Sequence, residues 1–414
     1  MASLAQLQGP LSGVRVADFS AHAAGPFAGL MLAELGAQVI KVESAARLDI
    51  TRRPHIMYGK PPSSFEQVNA NKLSACLNLK EPEAVALALE LVSICDLVLE
   101  NFRPGVMERL GLGYRQFRRV KPDIIVMSLS SNGQTGPERG YAGYAPMFAA
   151  LGGLGHLTGY PDAPPVELRH AMDHTGGMVA AFCAVAALCA RSPHPSSNKG
   201  GLGGISHGQH VDVSVRDMAS AFIGPALLEY AMNQREARRW GNRDDASAAQ
   251  GVYRCPGDDA WVSISVDSEE EWQGLRRALG DPYWAEDPRF GDAYQRWLNQ
   301  NDLDLRLEEW TGQVTPWEAT ELLQRQGVPA FPSLSPDQLA NDPHLLAREA
   351  FPVVKHPDKG SQRAVTPPWR FSSTPAQVDR WTPSLGEHNV EVFCGLLGLP
   401  AGRVTALEEK KVIW

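Results

Sequence analysis

Through the first half of the chain, short runs of aliphatic and β-branched residues alternate with stretches whose apolar positions recur at helical spacing. Residues 14–19 read as a buried strand, 25–35 as a helix and 38–42 as a second strand, which together make a β-α-β unit. A strand over 75–79, a helix opened by Pro82 at its first turn, and strands over 97–100 and 124–129 follow. Helices are expected over 144–154 and 174–191, and another strand over 210–214. This alternation predicts an α/β fold with a Rossmann-like, doubly wound, mainly parallel sheet.

From about Trp240 to Gly327 the texture changes. One strand pair, 251–254 and 261–266, precedes charged amphipathic helices rich in Trp and Glu. A large domain over 1–225 and a smaller α+β domain over 226–328 are therefore expected, as 414 residues exceed what one hydrophobic core usually serves. Residues 329–414 are assigned to a linker and a C-terminal segment that returns to the large domain, although composition alone does not say where it packs. The stretch 192–208 is rich in Ser, Pro and Gly and reads as a surface loop.

Charge and composition narrow the function. A net charge of -8 gives no overall attraction to nucleic acid or to an acidic membrane, so an anionic ligand must meet a local basic cluster. The longest apolar run, 176–190, is shorter than the roughly 20 residues that span a bilayer. The opening residues lack signal- or transit-peptide character, and the expectation is a cytoplasmic protein. Six cysteines lie scattered without zinc spacing, and the histidines form no ligand motif, so no metal is expected.

Two motifs are set aside. The turn after the first strand reads AHAAGPFAG and lacks the G-x-G-x-x-G spacing of a dinucleotide site. Gly204 to Gly208 matches G-x-S-x-G in letters, but a Gly-rich loop precedes it and a strand follows, the reverse of a nucleophile elbow.

Asp173 carries more chemistry. It stands directly before the apolar helix expected from His174, where Asp is a good N-cap and where the helix N-terminus keeps a carboxylate ionised. An ionised carboxylate is what covalent acyl transfer requires. Gly176 and Gly177 would let substrate approach the helix backbone. Lys80, Arg103 and Arg109 lie at or beyond strand ends, the edge where open α/β sheets bind ligands, and as a set they suit phosphates.

Several blocks in register resemble the class III (CaiB/BaiF) coenzyme A transferases. They are residues 11–43, Asn71-Lys72, 77–80, the run Glu100-Asn101-Phe102-Arg103-Pro104-Gly105, Arg109-Leu110-Gly111, Gly133-Gln134-Thr135-Gly136-Pro137, Asp173 with Gly177, Asn341-Asp342-Pro343-His344, Arg348 and Leu385-Gly386-Glu387-His388. The resemblance covers nearly the whole chain. It implies CoA transfer from an acyl-CoA to an organic acid, with Asp173 as nucleophile, a mixed anhydride and an aspartyl-CoA thioester as intermediates, and CoA as substrate with no permanently bound cofactor. It implies a CoA site at Leu77, Leu79, Lys80, Asn101, Phe102 and Arg109, to which His22, Ala23 and Tyr144 are added. An interlocked homodimer is implied too, or a heteromer with this chain as the active member.

The chain also departs from the pattern. Ala23 replaces the glutamine of formyl-CoA transferases, and their glycine-run loop has no counterpart at 242–251. These departures predict an acceptor bulkier than formate or oxalate, dicarboxylic or aromatic, with succinyl-CoA or acetyl-CoA as donor. Arg47, Arg52 or Arg53 would then meet a second carboxylate. The rival reading, an α-methylacyl-CoA racemase, needs a histidine where this chain reads Gly143-Tyr144-Ala145.

Overall fold

A computed structural model describes residues 8–53, 64–168, 171–191, 207–244, 247–356, 360–375 and 378–414. The chain divides into two compact units, one of residues 1–155, 167–225 and 344–414, the other of 156–166 and 226–343.

The first unit is built on six strands, β1 (Arg15–Asp18), β2 (Gln38–Glu43), β3 (Leu73–Cys76), β4 (Leu97–Glu100), β5 (Ile125–Ser130) and β6 (His210–Ser214). All pair in parallel, in the order β3-β2-β1-β4-β5-β6. This is the doubly wound order, whose direction reverses between β1 and β4. The connecting helices are α1 (Ala24–Glu34), α2 (Ser64–Asn69), α3 (Pro82–Ser93), α4 (Val106–Arg109), α5 (Tyr114–Val120), α6 (Ala145–Leu151), α7 (Leu154–Leu157) and α8 (Ala171–Arg191), with α9 (Val215–Phe222) and α10 (Gly224–Asn233) after β6.

Alternation along the strands feeds two cores. Ala17, Ile40, Val98 and Val126 face α3, α5 and the C-terminal segment, while Val16, Val39, Leu97, Leu99, Ile125 and Met127 face α1, α6 and α8. The strand expected at 75–79 starts earlier, at Leu73, because Ile40 to Glu43 pair with Leu73 to Cys76. Leu77 then bridges to Ile413. The expected helix over 144–154 is two helices, α6 and α7, broken at Gly153, whose φ of 87° lies in the left-handed region.

β3 is an edge strand, and the C-terminal segment covers it. Asn71 Oδ1 accepts from the N–H groups of Asp379 and Arg380, His388 N–H donates to Ser74 O, and Asn389 Oδ1 accepts from Cys76 N–H. Pairing in this way removes an open edge. Val392, Phe393, Leu399, Val404, Leu407, Val412 and Ile413 then complete the first core, the last helix being α17 (Ala401–Glu409). Three of the blocks that carry the family resemblance, Asn71-Lys72, 77–80 and 385–388, thus contribute to holding the sheet and its cover.

The second unit holds an antiparallel sheet of β7 (Gly251–Arg254), β8 (Trp261–Ile264) and β9 (Ala330–Pro332), with α11 (Glu269–Ala278), α12 (Ala293–Leu298), α13 (Gln300–Thr311) and α14 (Pro316–Gln324). It reaches further than the stretch 226–328, because β9 adds a third strand and residues 156–166 join it. Capping boxes at Ser268/Glu271 and Thr315/Glu318 start α11 and α14. Trp272, Phe290, Leu303, Leu307 and Leu323 fill its core. Next come α15 (Pro336–Ala340) and α16 (Pro343–Ala347), then the hairpin β10 (Val353–His356) and β11 (Gly360–Arg363).

Under the N-terminus of α1 lies an ion pair without solvent. Lys72 Nζ donates to Asp18 Oδ2 (2.9 Å), Pro26 O (2.7 Å) and Asn69 Oδ1 (3.0 Å), and all four residues are buried. Burial pushes the Asp18 carboxyl up, but Lys72, Lys41 and the Ser20 hydroxyl outweigh it and hold the group below its ordinary value. Burial pushes the Lys72 ammonium down to about 8, against the pull of Asp18. Gly29 of α1 leaves the space, since a Cβ there would stand 2.7 Å from Asp18 Oδ2 and 2.9 Å from Lys72 Nζ. Lys72→Met leaves Asp18 buried without its cation, and chemical denaturation is expected to show a loss of about 3–5 kcal/mol, with Asp18→Asn in the same background recovering part of it.

Candidate active site

The C-terminal ends of β1 and β4, where the strand order reverses, carry the loops that the sequence singled out. The loop after β1 is fixed from three sides. Ser20 N–H donates to Asp18 Oδ1 (2.9 Å), and the Ser20 hydroxyl also bonds that oxygen. Lys41 Nζ donates to Ser20 O (2.9 Å). Asn101, just after β4, accepts from Ala21 N–H and donates to Ala21 O, both at 2.8 Å.

These bonds set the exposed His22, whose φ of 68° is left-handed for a residue with a side chain. Its N–H donates to Asp49 Oδ2 (3.1 Å), and its ring stands 6.2 Å from that of Tyr144 at the start of α6. Ala23 caps α1, accepting from Phe27 N–H. His22, Ala23, Asn101 and Tyr144 are therefore joined through direct contacts or adjacent residues. Both ends of the Asn101 amide are spent on the backbone of Ala21, so its part is to shape the loop.

Asp173 sits in the first turn of α8, half-buried. The helix starts at Ala171, three residues before the sequence expectation, which makes Asp173 its third residue and not its cap. The position keeps the benefit of the helix N-terminus, whose unpaired N–H groups and dipole favour an anion within the first turn. The following residues dock on α1. His174 meets the Phe27 ring edge-on at 4.6 Å, and a Cβ at Gly177 would stand 2.6 Å from Ala24 O. Gly176 faces Val215 and Leu129. The two glycines thus serve close helix packing, a correction to the expectation that they admit substrate. The same packing brings the start of α8 to the start of α1, and hence Asp173 towards the loop of His22 and Ala23.

The other expected residues divide. Leu77 is fully buried in the first core and its N–H donates to Glu43 O, so its side chain faces no ligand. Leu79 and Phe102 are half-buried against that core. Lys80 and Arg103 are exposed, after β3 and β4. Arg109 is exposed too, its guanidinium 3.3 Å from where a Cβ on Gly105 would sit; Gly105 has a φ of 81°. Arg52 is removed from the candidates for a second carboxylate, because it already grips Glu43 at 2.8 and 2.7 Å and lies 3.6 Å over the Phe65 ring. Arg47 and Arg53 remain exposed.

Sequence reasoning passed over Asp49, which ties the segment after β2 to His22, and the polar run after β5. Ser130 Oγ, Asn132 Oδ1 and Gln134 Nε2 are buried and bond to none of the described residues. Such atoms are met in a folded protein by water or a ligand. Ser130 ends β5 and the other two follow at alternate positions, a spacing legible in the sequence, of which only Gln134 belongs to a resemblance block. Among the described residues no cluster of His, Cys, Asp and Glu is arranged to hold a metal. The G-x-S-x-G letters lie outside the described residues as far as 206.

A doubly wound sheet whose strand order reverses at the β1 and β4 loops is a ligand-binding framework, and comparison with known proteins gives its class. The model of CoA-transferase family III matches residues 11–389, and the chain belongs to that family. It is 35% identical over 405 residues to the succinyl-CoA–D-citramalate CoA-transferase of Chloroflexus aurantiacus, covering 98% of each chain. Identity to the formyl-CoA:oxalate CoA-transferase of Streptomyces coelicolor is 30%, over 97% of this chain and 99% of that one. A CaiB/BaiF family protein from Brucella suis superposes with a TM-score of 0.83 at 28% identity, over 94% and 100% of the chains. The protein is a CoA transferase that acts on CoA thioesters.

Charge removal at Lys80 and Arg109 is expected to raise the KM for acyl-CoA, leave kcat close to that of the parent, and flatten the dependence of KM on salt. Steady-state kinetics over a range of ionic strength checks this. Unchanged KM in both variants would leave the two residues as solvated surface charges.

Proposed function

We propose that this CoA transferase moves CoA from an acyl-CoA donor to an organic acid through the carboxylate of Asp173. The observation that carries the reading is the position of Asp173 in the first turn of α8, packed beside the first turn of α1. Asp173 attacks the thioester carbonyl and expels CoA as thiolate, which leaves a mixed anhydride between donor acyl group and enzyme. The thiolate attacks the aspartyl carbonyl, the donor acid departs, and CoA stays on Asp173 as a thioester. The acceptor carboxylate then attacks that thioester, and the released thiolate takes the acceptor acyl group from the second anhydride.

The chain's own residues serve this sequence by holding reactants together. A carboxylate is a weak nucleophile, and proximity at effective molarities of about 10⁵–10⁸ M supplies the advantage. Each tetrahedral intermediate needs donors at its oxyanion, and backbone N–H groups of the loop 22–25 and of the first turn of α8 are suited to it. Lys80, Arg103 and Arg109 are assigned to CoA phosphates, and Leu79 and Phe102 to the apolar part of the cofactor. The thioester bond energy is kept at each step, so the cycle needs neither ATP nor metal.

Asp173→Ala and Asp173→Asn are expected to fold and to lose transfer by several orders of magnitude. Mass spectrometry after hydroxylamine treatment in the presence of donor is expected to place the modification on Asp173. Near-normal turnover in either variant would refute the assignment.

For the acceptor we propose a dicarboxylic acid, with succinyl-CoA as donor. Ala23 in place of a larger polar side chain enlarges the space beside His22, and Arg47 and Arg53 are exposed on the segment that Asp49 ties to His22. The relative that acts on succinyl-CoA and D-citramalate supports the same class. In a panel of acyl-CoA donors and acids read by mass, hydroxy-dicarboxylic acids are expected to exceed formate and oxalate in kcat/KM. The reverse order would end the pocket argument and leave the transferase assignment standing.

We propose a homodimer in the cytoplasm as the working state. Helix α10 has no buried residue and exposes Leu227, Leu228, Tyr230 and Met232, while α8 exposes Phe182. Large apolar side chains set out in this way favour a cover by protein.

A further inference from the structure

A line of polar groups runs from Glu100 at the C-terminal end of β4, through Ser128 within β5, to His210 at the start of β6, on the sheet face opposite α1 and α8. Glu100 Oε2 accepts from Phe102 N–H (2.8 Å), Ser128 is the cross-strand partner of Glu100 in the β4–β5 pairing, and Ser128 Oγ stands 2.9 Å from His210 Nε2. Glu100 and Ser128 are buried, whereas His210 lies exposed on the edge strand with its ring stacked on Tyr114, centroids 5.3 Å apart. The transfer cycle uses none of these three side chains.

We propose that Glu100 is a positioning residue for the acyl-CoA site, its ionised carboxylate fixing the Asn101–Phe102 turn and the Ser128–His210 chain orienting that carboxylate. The inference rests on the CoA site proposed at that turn. A serine hydroxyl has one hydrogen. When it is donated to Glu100, Ser128 must accept at its lone pair, and the Nε2–H tautomer of His210 supplies that bond. Held in this way, Glu100 keeps Phe102 N–H in place, the next residue back is Asn101, and Asn101 grips Ala21 at both of its backbone groups. One carboxylate therefore governs both loops at the point where the strand order reverses.

The same residue is sensitive to protons. Burial pushes the Glu100 carboxyl up to about 7, against the Ser128 and Phe102 bonds that hold it down, with Glu108 of α4 and Asp212 of β6 adding repulsion. His210, Tyr114 with Arg118 over its ring, and the buried Cys95 also lie on this face. As pH falls through about 7, Glu100 gains a proton, the charged acceptor is lost and the turn loosens, so the KM for acyl-CoA rises on the acid side.

Two measurements test this. Hydrogen exchange without ligand is expected to show faster exchange across residues 101–105 in Glu100→Gln than in the parent. Kinetics are expected to show an acyl-CoA KM raised about tenfold and nearly flat between pH 6 and 8, with kcat within about threefold, the scale of one charge-assisted hydrogen bond. Ser128→Ala, which removes a bond favouring the ionised form, is expected to move the midpoint of the KM profile upward; it also serves if Glu100→Gln fails to fold. Unchanged exchange and KM in Glu100→Gln, or a Ser128→Ala profile that coincides with the parent, would overturn the proposal. An inactive parent enzyme would instead strike the function reading, while the exchange arm still reports on the turn.

Discussion

The buried pair of Asp18 and Lys72 is the constraint from which the arrangement of the first unit follows. Two charges removed from water are tolerated only when each finds partners, and here the partners are the site's own scaffold. Lys72 reaches the carbonyl of Pro26 in the first turn of α1, and Asp18 holds Ser20. Lys41, buried alongside, grips Ser20 O and lies 3.9 Å from Asp49, which in turn holds His22. The loop after β1 is thereby tied to β2, to the start of β3 and to α1 at once. A loop so held is preorganised, which is what the proposed attack of a carboxylate on a thioester would require.

Much of the framework was legible in the sequence. The β-α-β opening, the parallel sheet and the family resemblance all follow from periodicity and from blocks in register, because those signals are local. What stayed hidden depends on contacts between distant segments. Nothing in the letters around Lys72 says that a lysine lies without water, and its neighbour Asn71 reads equally well as a turn residue. Gly177 reads as room for substrate and Gly29 as an ordinary helix position, until the α1 backbone beside the one and the ion pair below the other show that volume was the reason. Leu77 matched a cofactor position by register, yet its side chain belongs to the core. Arg52 looked like a free cation because Glu43 is nine residues away in the chain and adjacent in space.

Helix α8 shows how one element answers opposed demands. With 21 residues and a mean hydropathy of 1.4 over its best window, it is long and apolar enough to cross a bilayer, contrary to the shorter stretch read from sequence. Its face of Gly176, Gly177, Ala180, Ala181, Ala184 and Ala187 is instead buried in the second core. Small residues allow backbones to approach, and the approach sets where the first turn of α8 ends up relative to α1. The position of Asp173 is therefore set by residues that carry no chemistry.

The C-terminal cover bears on the order in which the chain can fold during synthesis. Residues 226–343 form a unit with its own core, and all of them leave the ribosome before Val392, Phe393, Leu407 and Ile413 do. The sheet of the first unit emerges earlier still, but the part of one face that α3 and α5 leave uncovered and the edge at β3 stay open until those late residues arrive. A nascent chain thus spends the interval with apolar surface and an unpaired strand edge on display, the state in which aggregation competes with folding. An interrupted first unit ties the completion of its sheet cover to the arrival of residues 344–414.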